Sequence, residues 1–242
     1  MSEHGPTPRR VLVWRHGRTH WNVEHRLQGQ ADPPLDEVGR LQAVASARLL
    51  VAYSPGAIIS SDLARAVQTA RPLAELLGLP VILDRRLRER SLGGWEGLTR
   101  EEVLRRHPGE YAQWVAGRDA PQPGAETRAE IGERSLAALA AADGETVVLV
   151  THSATAMALT GRLLGLPVTG WRSVGPLGNG RWSEFTSDEH GWRLRAHNLG
   201  PLGSPISGLS TSDGSVAAVK IPDADAGADA VDAEAVDAEP AR

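Results

Sequence analysis

The sequence predicts an α/β protein in which helices cover both faces of a mainly parallel sheet of about six strands, a three-layer α/β/α sandwich. Short apolar runs of three to six residues, rich in Val and Ile, are typical of buried strands. Between them lie longer segments in which apolar residues recur at helical spacing. This alternation indicates a parallel sheet, and 242 residues are enough for one such domain.

The first half of the chain predicts three strands and two helices. Strands are expected at residues 11–14, 57–60 and 81–83. A loop over residues 21–35 leads into a helix that begins at about Asp36. The apolar positions that indicate this helix are Val38, Leu41, Val44, Ala45 and Leu49. A second helix is expected over residues 62–77, with a kink at Pro72.

The segment at residues 99–120 predicts a small helical cap. Thr99 and Glu102 form the sequence pattern of a capping box, which opens a short helix. His107 and Pro108 end that helix, because the residue before a proline avoids helical geometry. A second short helix is expected to carry Tyr111 and Trp114.

The remaining elements complete the sheet. An Ala-rich helix is expected over residues 126–142, followed by the clearest buried strand of the chain at residues 146–151. A helix over residues 153–164 then ends at Gly165 and Pro167. Residues 182–186 and 192–196 are predicted to form a closing hairpin.

The two ends of the chain differ from the body in composition. Residues 1–10 are polar and are expected to be flexible, so the folded domain is predicted to span residues 11–202. Residues 203–242 hold eight acidic residues, two basic ones and no aromatic residue, a net charge of −6. Such a segment buries too little apolar surface to offset its ordering entropy, so a disordered acidic tail is expected.

Composition excludes several classes of function. The chain has no cysteine, which rules out disulfides, thiolate metal sites and a cysteine nucleophile and fits a cytoplasmic location. With a total charge of −4 and a tail of −6, residues 1–202 carry about +2, too little to indicate nucleic-acid binding. No apolar run approaches the roughly 20 residues of a membrane span, and no signal peptide is expected.

Polar residues follow several of the predicted strands directly. Arg15, His16 and Gly17 follow the first strand, Arg65 lies just beyond the second, and Glu89 comes after the third. The strand at residues 146–151 leads into His152 and Ser153. In an open α/β sheet, ligands bind beyond the carboxyl ends of the strands, so these side chains are expected to converge.

The chemistry of this set favours phosphoryl transfer without a metal. Arginine presents a planar fork of donors that fits phosphate, and histidine is a nucleophile near neutral pH. Gly17 allows the backbone to approach whatever His16 contacts. No pair of aspartates and no cysteine accompanies these residues as a metal-ligand set, so neither a metal nor another cofactor is expected.

Four motifs in order resemble the histidine phosphatase superfamily, whose fold is phosphoglycerate mutase-like. They are Arg15-His16-Gly17 with Thr19 and Asn22; Ser61-Asp62-Leu63 with Arg65, Ala66, Thr69 and Ala70; Leu87 and Glu89 with Gly94, Glu96 and Gly97; and Val150-Thr151-His152. The resemblance implies that His16 takes up the phosphoryl group as phosphohistidine. It implies that Arg15, Arg65 and His152, assisted by Asn22, hold its oxygens, and that Glu89 is the general acid and base.

Within that superfamily the chain is similar to actinobacterial glucosyl-3-phosphoglycerate phosphatases. The similarity lies in residues 27–32, 87–89, 92–99, 178–182 and 192–194. It implies a homodimer that acts on a small phosphate ester without a metal, with Gln28, Gly29 and Ser153 also binding substrate. Three positions depart from the family pattern, namely Arg18, Ala125 and Thr127. Arg18 would either favour an anionic substrate or face solvent.

Other interpretations remain open at this point. A phosphoglycerate mutase is disfavoured because the Glu-Arg-x-Tyr-Gly pattern of mutases is not present after Glu89. A broad-specificity acid phosphatase and a non-catalytic phospho-ligand-binding protein are further alternatives. His20 and His25 are expected to be surface residues rather than metal ligands. Trp21, Trp114 and Trp182 are either core residues or the wall of a sugar site.

Overall fold

One six-stranded sheet organises the molecule. The structure, a computed structural model, describes residues 8–201. The strands are β1 (Arg10–Arg15), β2 (Ala57–Ser60), β3 (Val81–Leu83), β4 (Thr146–Thr151), β5 (Trp182–Asp188) and β6 (Gly191–Leu199). The flexible N-terminus and the acidic tail remain predictions, because residues 1–7 and 202–242 lie outside the described part.

The strand order is β3-β2-β4-β1-β5-β6. β1 and β2 both run parallel to β4, with Val148 opposite Leu12 on one side and Ile58 on the other, and β3 runs parallel to β2. β5 and β6 are antiparallel and close one edge as a hairpin. The prediction of a mainly parallel sheet of about six strands is confirmed, and the central strands are those that carry the motif residues.

Seven α-helices connect the described strands. They are α1 (His20–Val23), α2 (Glu37–Leu50), α3 (Ala64–Leu77), α4 (Arg100–Arg106), α5 (Pro108–Val115), α6 (Arg128–Ala140) and α7 (Ser153–Leu163). The short helix α1 lies in the segment expected to be a loop, where Thr19 and Asn22 form a capping box. α3 continues through Pro72 as one helix. Helices α4 and α5 occupy the segment predicted to form the cap and pack around Trp95.

Alternation along β1 divides the core into two layers. Val11 and Val13 face a cluster that includes residues of α6 and α7, whereas Leu12 and Trp14 face a cluster built with α2 and α3. All four side chains are completely buried. Successive residues of a strand point to opposite faces, so a run that is apolar throughout requires cover on both sides. This arrangement is the three-layer sandwich expected from the sequence.

Helix α2 packs with a different face from the one its apolar spacing indicates. Leu41, Val44 and Leu49 are each more than a third exposed, whereas Ala43 and Ala47 are buried. Near its start, α2 approaches the β1 loop so closely that a Cβ on Gly39 would lie 2.0 Å from the carbonyl oxygen of Arg18. Small residues therefore line the inner face near the start of α2, because larger side chains there would prevent this approach, whereas Leu50 at its end packs into the core.

No helix in the described range combines the length and apolar character needed to cross a membrane.

Candidate active site

The ends of β1, β2 and β4 and the start of α7 enclose one deep pocket. Its empty volume is about 1050 Å³, counted out to its open mouth. Predicted site residues on its wall are Arg15, His16, Asn22, Gln28, Gly29, Arg65, Glu89 and Ser153. His152 and Gly17 lie behind this wall, where both are buried. The strand ends have thus brought together residues that are more than 130 positions apart in the sequence.

His16 is held in one tautomer and one charge state. Its Nδ1 lies 2.7 Å from the carbonyl oxygen of Gly17, so Nδ1 carries the proton and donates it there. The lone pair is then on Nε2. Burial lowers the pKa of His16 well below 6.5, and the positive charges of Arg65 and Arg15 lower it further. The imidazole is therefore neutral near pH 7 and competent as a nucleophile.

The backbone of Gly17 is hydrogen-bonded to His16 and Thr69 and does not line the pocket in this structure. Its backbone N–H donates to the hydroxyl of Thr69 at 3.0 Å, and its carbonyl accepts from His16. A Cβ at this position would lie 2.3 Å from the carbonyl oxygen of Gly39, so only glycine fits between the β1 loop and α2.

Arg65 is completely buried and held by a set of fixed acceptors. Its terminal nitrogens donate to the carbonyls of Gly29 (2.8 Å) and Ala31 (2.7 Å), and its Nε donates to Nδ1 of His152 (3.1 Å). Burial lowers the pKa of Arg65 to about 10, which leaves it charged at neutral pH. The cation is thus oriented at the pocket before any ligand arrives.

His152 lies beneath His16, with a ring-centroid distance of 5.1 Å. Its Nδ1 accepts from Arg65, so its proton is on Nε2, which donates to the hydroxyl of Ser61 at 2.9 Å. Burial lowers the pKa of His152 well below 6.5, with Arg65 adding to the effect. Both ring nitrogens are therefore engaged by protein atoms in this structure.

Two further residues present donors to the pocket. Arg15 is buried at the end of β1 and donates to the carbonyl of Leu177 at 2.5 Å. The side-chain oxygen of Asn22 accepts hydrogen bonds from Thr19 and Asn179, which leaves its amino group to donate towards the pocket that it lines.

The carboxylate of Glu89 is anchored at the start of α7. It accepts backbone N–H groups from Ala154 and Thr155, each at 3.2 Å, and from Arg90 at 2.8 Å. The positive end of a helix dipole favours a carboxylate in this position. Arg134 fixes the adjacent backbone by donating to the carbonyl of Glu89 at 3.1 Å. The carboxylate is therefore held at the pocket wall with a defined orientation.

The outer half of the pocket holds residues that sequence reasoning missed. Its arginines are Arg26, Arg90, Arg100, Arg118, Arg128 and Arg172, and its apolar wall includes Leu92, Trp114, Met157 and Trp171. Of the tryptophans that the sequence offered as the wall of a sugar site, Trp114 lines this part of the pocket, whereas Trp182 is buried in the core. The strongest available signal was the placement of arginines on short segments around the predicted cap.

The described residues contain no group of three His, Cys, Asp or Glu side chains that could hold a metal ion. His20 and His25 are exposed. The basic, histidine-containing pocket instead matches the demands of an oxyanion: fixed donors, positive charge and low solvent exposure. Fold and site together define an α/β protein whose basic, histidine-containing pocket suits a phosphate oxyanion.

Comparison with known proteins identifies the family. The family model described as "Histidine phosphatase superfamily (branch 1)" matches residues 11–200. The chain belongs to this superfamily and is a histidine phosphatase, as the four sequence motifs predicted.

Several relatives resemble the chain over most of their length. A glucosyl-3-phosphoglycerate phosphatase of Mycolicibacterium vanbaalenii is 42% identical over 188 residues, which cover 73% of this chain and 84% of the relative. A solved structure of a mycobacterial glucosyl-3-phosphoglycerate phosphatase with VO3 superposes with a TM-score of 0.73 at 40% identity and covers 79% of this chain and 99% of that one. A probable phosphoglycerate mutase of Cronobacter sakazakii is 39% identical over 162 residues, covering 65% and 75%.

Proposed function

We propose that the protein hydrolyses the phosphate monoester of a small metabolite through a phosphohistidine on His16, without a metal. The observation that carries this proposal is the state of His16: its Nδ1–H is fixed on Gly17, and burial with two neighbouring arginines keeps the ring neutral. A histidine nucleophile needs this combination, because a protonated ring has no lone pair for attack.

The reaction follows in two steps. Nε2 of His16 attacks phosphorus while the ester P–O bond breaks, and Glu89 passes a proton to the leaving oxygen. The Glu89 carboxylate then takes a proton from a water molecule whose oxygen attacks phosphorus, and the P–N bond breaks to return the electron pair to His16. One carboxyl group serves both steps because it loses its proton in the first and regains one in the second.

The transferred group is stabilised by fixed positive donors. Arg15 and Arg65 are the cations of the inner pocket, and the amino group of Asn22 supplies a further donor. His152 contributes by holding Arg65; a direct contact with a phosphoryl oxygen would replace one of its present bonds to Arg65 or Ser61. Preorganised donors of this kind are usually the largest catalytic contribution in phosphoryl transfer.

Glucosyl-3-phosphoglycerate is the substrate we propose, because its parts match the outer pocket. Relatives at about 42% identity carry that activity in their names. Arginines such as Arg118 outnumber carboxylates on the described pocket wall, which favours a second anionic group such as the glycerate carboxylate. Trp114, which is only partly buried, offers aromatic surface for a sugar ring. The Gln28 Oε1 is buried without a hydrogen-bond partner among residues 8–201, and it suits a substrate hydroxyl.

The cytoplasm is the location we propose, since phosphorylated metabolites are found there and the chain has no cysteine.

We also propose a homodimer that pairs through β3. This strand lies at one end of the sheet, and its Ile82 and Leu83 are 51% and 55% exposed. The molar mass of the wild type measured by light scattering should correspond to two chains. Ile82→Lys should reduce it to that of one chain, whereas the control Leu104→Lys on α4 should keep the mass of two chains. A monomeric wild type would refute this assembly.

The decisive experiment is a turnover assay with EDTA present. Substrates are glucosyl-3-phosphoglycerate, 3-phosphoglycerate and p-nitrophenyl phosphate, tested with wild type, His16→Ala and the exposed-site control His20→Ala. We expect phosphate release that survives EDTA, is lost in His16→Ala and is unchanged in His20→Ala. Rapid acid-free quenching and mass spectrometry should show one phosphoryl group on the peptide that contains His16.

Each alternative has its own outcome. Interconversion of 2- and 3-phosphoglycerate without net phosphate release would show a mutase. Equal kcat/KM for all three esters would show a broad-specificity phosphatase. Binding of the esters without turnover would show a phospho-ligand-binding protein, and each of these results would overturn the proposal.

A further inference from the structure

The motif residue Glu96 has no assigned part in the chemistry above, yet its carboxylate joins two loops beside the pocket. One oxygen accepts backbone N–H groups from Gln30 and Leu92, each at 3.1 Å, and the other accepts from Ala31 at 3.0 Å. Three backbone donors on one half-buried carboxylate form a strong, charge-assisted attachment. Glu96 therefore fixes the loop at residues 28–32 against the turn at residues 91–97.

The same loop holds Arg65. The carbonyls of Gly29 and Ala31 accept the two terminal nitrogens of its guanidinium. In sequence order, the N–H of Ala31 binds Glu96 and the C=O of Ala31 binds Arg65, so a single residue is clamped between the two charges. Movement of the loop would move both acceptors of the Arg65 fork together.

Gly29 shows how closely Glu96 and the loop fit. Gly29 has a φ of +49°, and a Cβ there would lie 2.2 Å from Oε1 of Glu96. The left-handed backbone turns the Gly29 carbonyl towards Arg65 while leaving room for the carboxylate. Glu96 also adds negative charge on the side of the loop opposite Arg65; burial lowers the pKa of Arg65, and nearby carboxylates including Glu96 favour its charged form.

We propose that Glu96 is a positioning residue for Arg65: its carboxylate sets the loop carbonyls that aim the guanidinium at the oxyanion in the pocket. The identification of that oxyanion as a transferred phosphoryl group rests on the proposed function. The geometry itself concerns only the binding of a tetrahedral oxyanion.

The test measures binding of inorganic phosphate by calorimetry, which does not depend on turnover. Glu96→Gln keeps the shape of the side chain but places an NH₂ group against backbone N–H donors. We expect phosphate to bind about tenfold more weakly, the loss typical when charge-assisted hydrogen bonds are removed. Glu130→Gln is the matched control, because Glu130 also accepts a backbone N–H, from Thr127 in the capping box of α6. It should bind phosphate within about twofold of wild type.

A double-mutant cycle separates positioning from general loosening of the pocket. In Arg65→Lys the ammonium cannot occupy both loop carbonyls and present a fork, so Glu96 has little left to position. Adding Glu96→Gln to Arg65→Lys should change phosphate affinity by less than about twofold. An equal tenfold loss in both backgrounds, or a Glu96→Gln variant that binds like Glu130→Gln, would overturn the proposal.

Circular dichroism establishes that each variant is folded before binding is measured. If Glu96→Gln does not fold, Glu96→Asp is measured instead, because it keeps the charge but is too short to reach both loops. Weaker phosphate binding in Glu96→Asp supports the proposal, and wild-type binding overturns it. A wild-type protein that binds phosphate but hydrolyses no ester would refute the proposed function alone and leave the role of Glu96 open to the binding test.

Discussion

Arg65 donates a hydrogen bond from Nε to Nδ1 of His152 over 3.1 Å, and this bond fixes the proton of the histidine on Nε2. That proton is donated to Ser61, so a buried chain of hydrogen bonds runs from the residue that follows β2 to the guanidinium of Arg65. Each group in the chain has a defined partner, which lets the pocket keep its geometry without bound ligand.

Removing the end of this chain should impair catalysis while leaving the pocket surface unchanged. Ser61→Ala leaves the Nε2–H of buried His152 without its acceptor, which loosens the orientation of Arg65. We expect kcat/KM to fall about tenfold, equivalent to about 1.4 kcal/mol. Ser135→Ala is the control, because Ser135 is equally buried but bonds Gly132 within α6. Similar kinetics for the two variants would contradict the argument.

The two buried histidines should make the fold sensitive to acid. Their folded pKa values lie below 6.5, so the unfolded chain binds up to two more protons once the pH falls below about 6.5. Their contribution to stability is therefore complete above that pH and decreases by up to about 1.4 kcal/mol per pH unit for each histidine below it. Chemical denaturation between pH 7.5 and 5 measures this slope.

Single substitutions of histidines test whether the buried histidines cause this dependence of the free energy of unfolding on pH. In His152→Asn the free energy of unfolding should decrease less steeply as the pH falls, because the unfolded chain takes up one proton fewer. The exposed-site variant His20→Asn should match wild type. An unchanged slope in His152→Asn would contradict the assignment. Because free His16 is already neutral, kcat/KM should also show no acid limb near pH 6.5.

The outer arginines should control discrimination between substrates. 3-Phosphoglycerate and glycerol 3-phosphate differ mainly by a carboxylate, so the ratio of their kcat/KM values reports recognition of that anion. We expect Arg118→Ala to reduce this ratio by about five- to tenfold, the range for losing one charge-assisted contact at an accessible site. Arg105→Ala, which changes an exposed arginine of α4 outside the pocket wall, should leave the ratio unchanged. Equal ratios in both variants would refute this role.

Trp171 should depend on two glycines that let it enter between α6 and α7. A Cβ on Gly161 would lie 2.2 Å from the indole, and one on Gly132 would lie 2.6 Å from it. Gly161→Ala is therefore expected to lower the free energy of unfolding by about 1–3 kcal/mol, the usual cost of overpacking a core. Gly109→Ala, in open space on α5, should be neutral or slightly stabilising. Equal stability of the two variants in urea would contradict this packing.

Patterns confined to a few neighbouring residues predicted most of the framework. The runs at residues 11–14 and 147–150 are apolar at every position, which requires burial on both faces, and β1 and β4 are indeed the central pair. The residues after these strands converge because parallel strands end at one edge of a sheet. Arg15, His16, Arg65 and Glu89 could be placed in one pocket on that reasoning alone.

Contacts between distant segments could not be predicted in the same way. The spacing of apolar residues identified α2 as a helix but indicated Leu41 and Leu49 as its packed face, which the structure shows to be exposed. Arg118 and Trp171 reach the pocket from segments more than 50 positions apart, with no shared local pattern. Which tautomer His152 adopts depends on Arg65 and Ser61, both about 90 positions away.

The sequence by itself therefore determined the succession of strands and helices along the chain, because hydrogen bonding and burial within one element depend on local periodicity. Its short motifs also identified the family and predicted the inner residues of the site. The tertiary structure decided which face of each helix packs, what lines the outer pocket and how Glu96, Arg65 and His152 are connected. Those outcomes depend on shape and charge complementarity between elements that are close only after folding, and no single stretch of sequence specifies them.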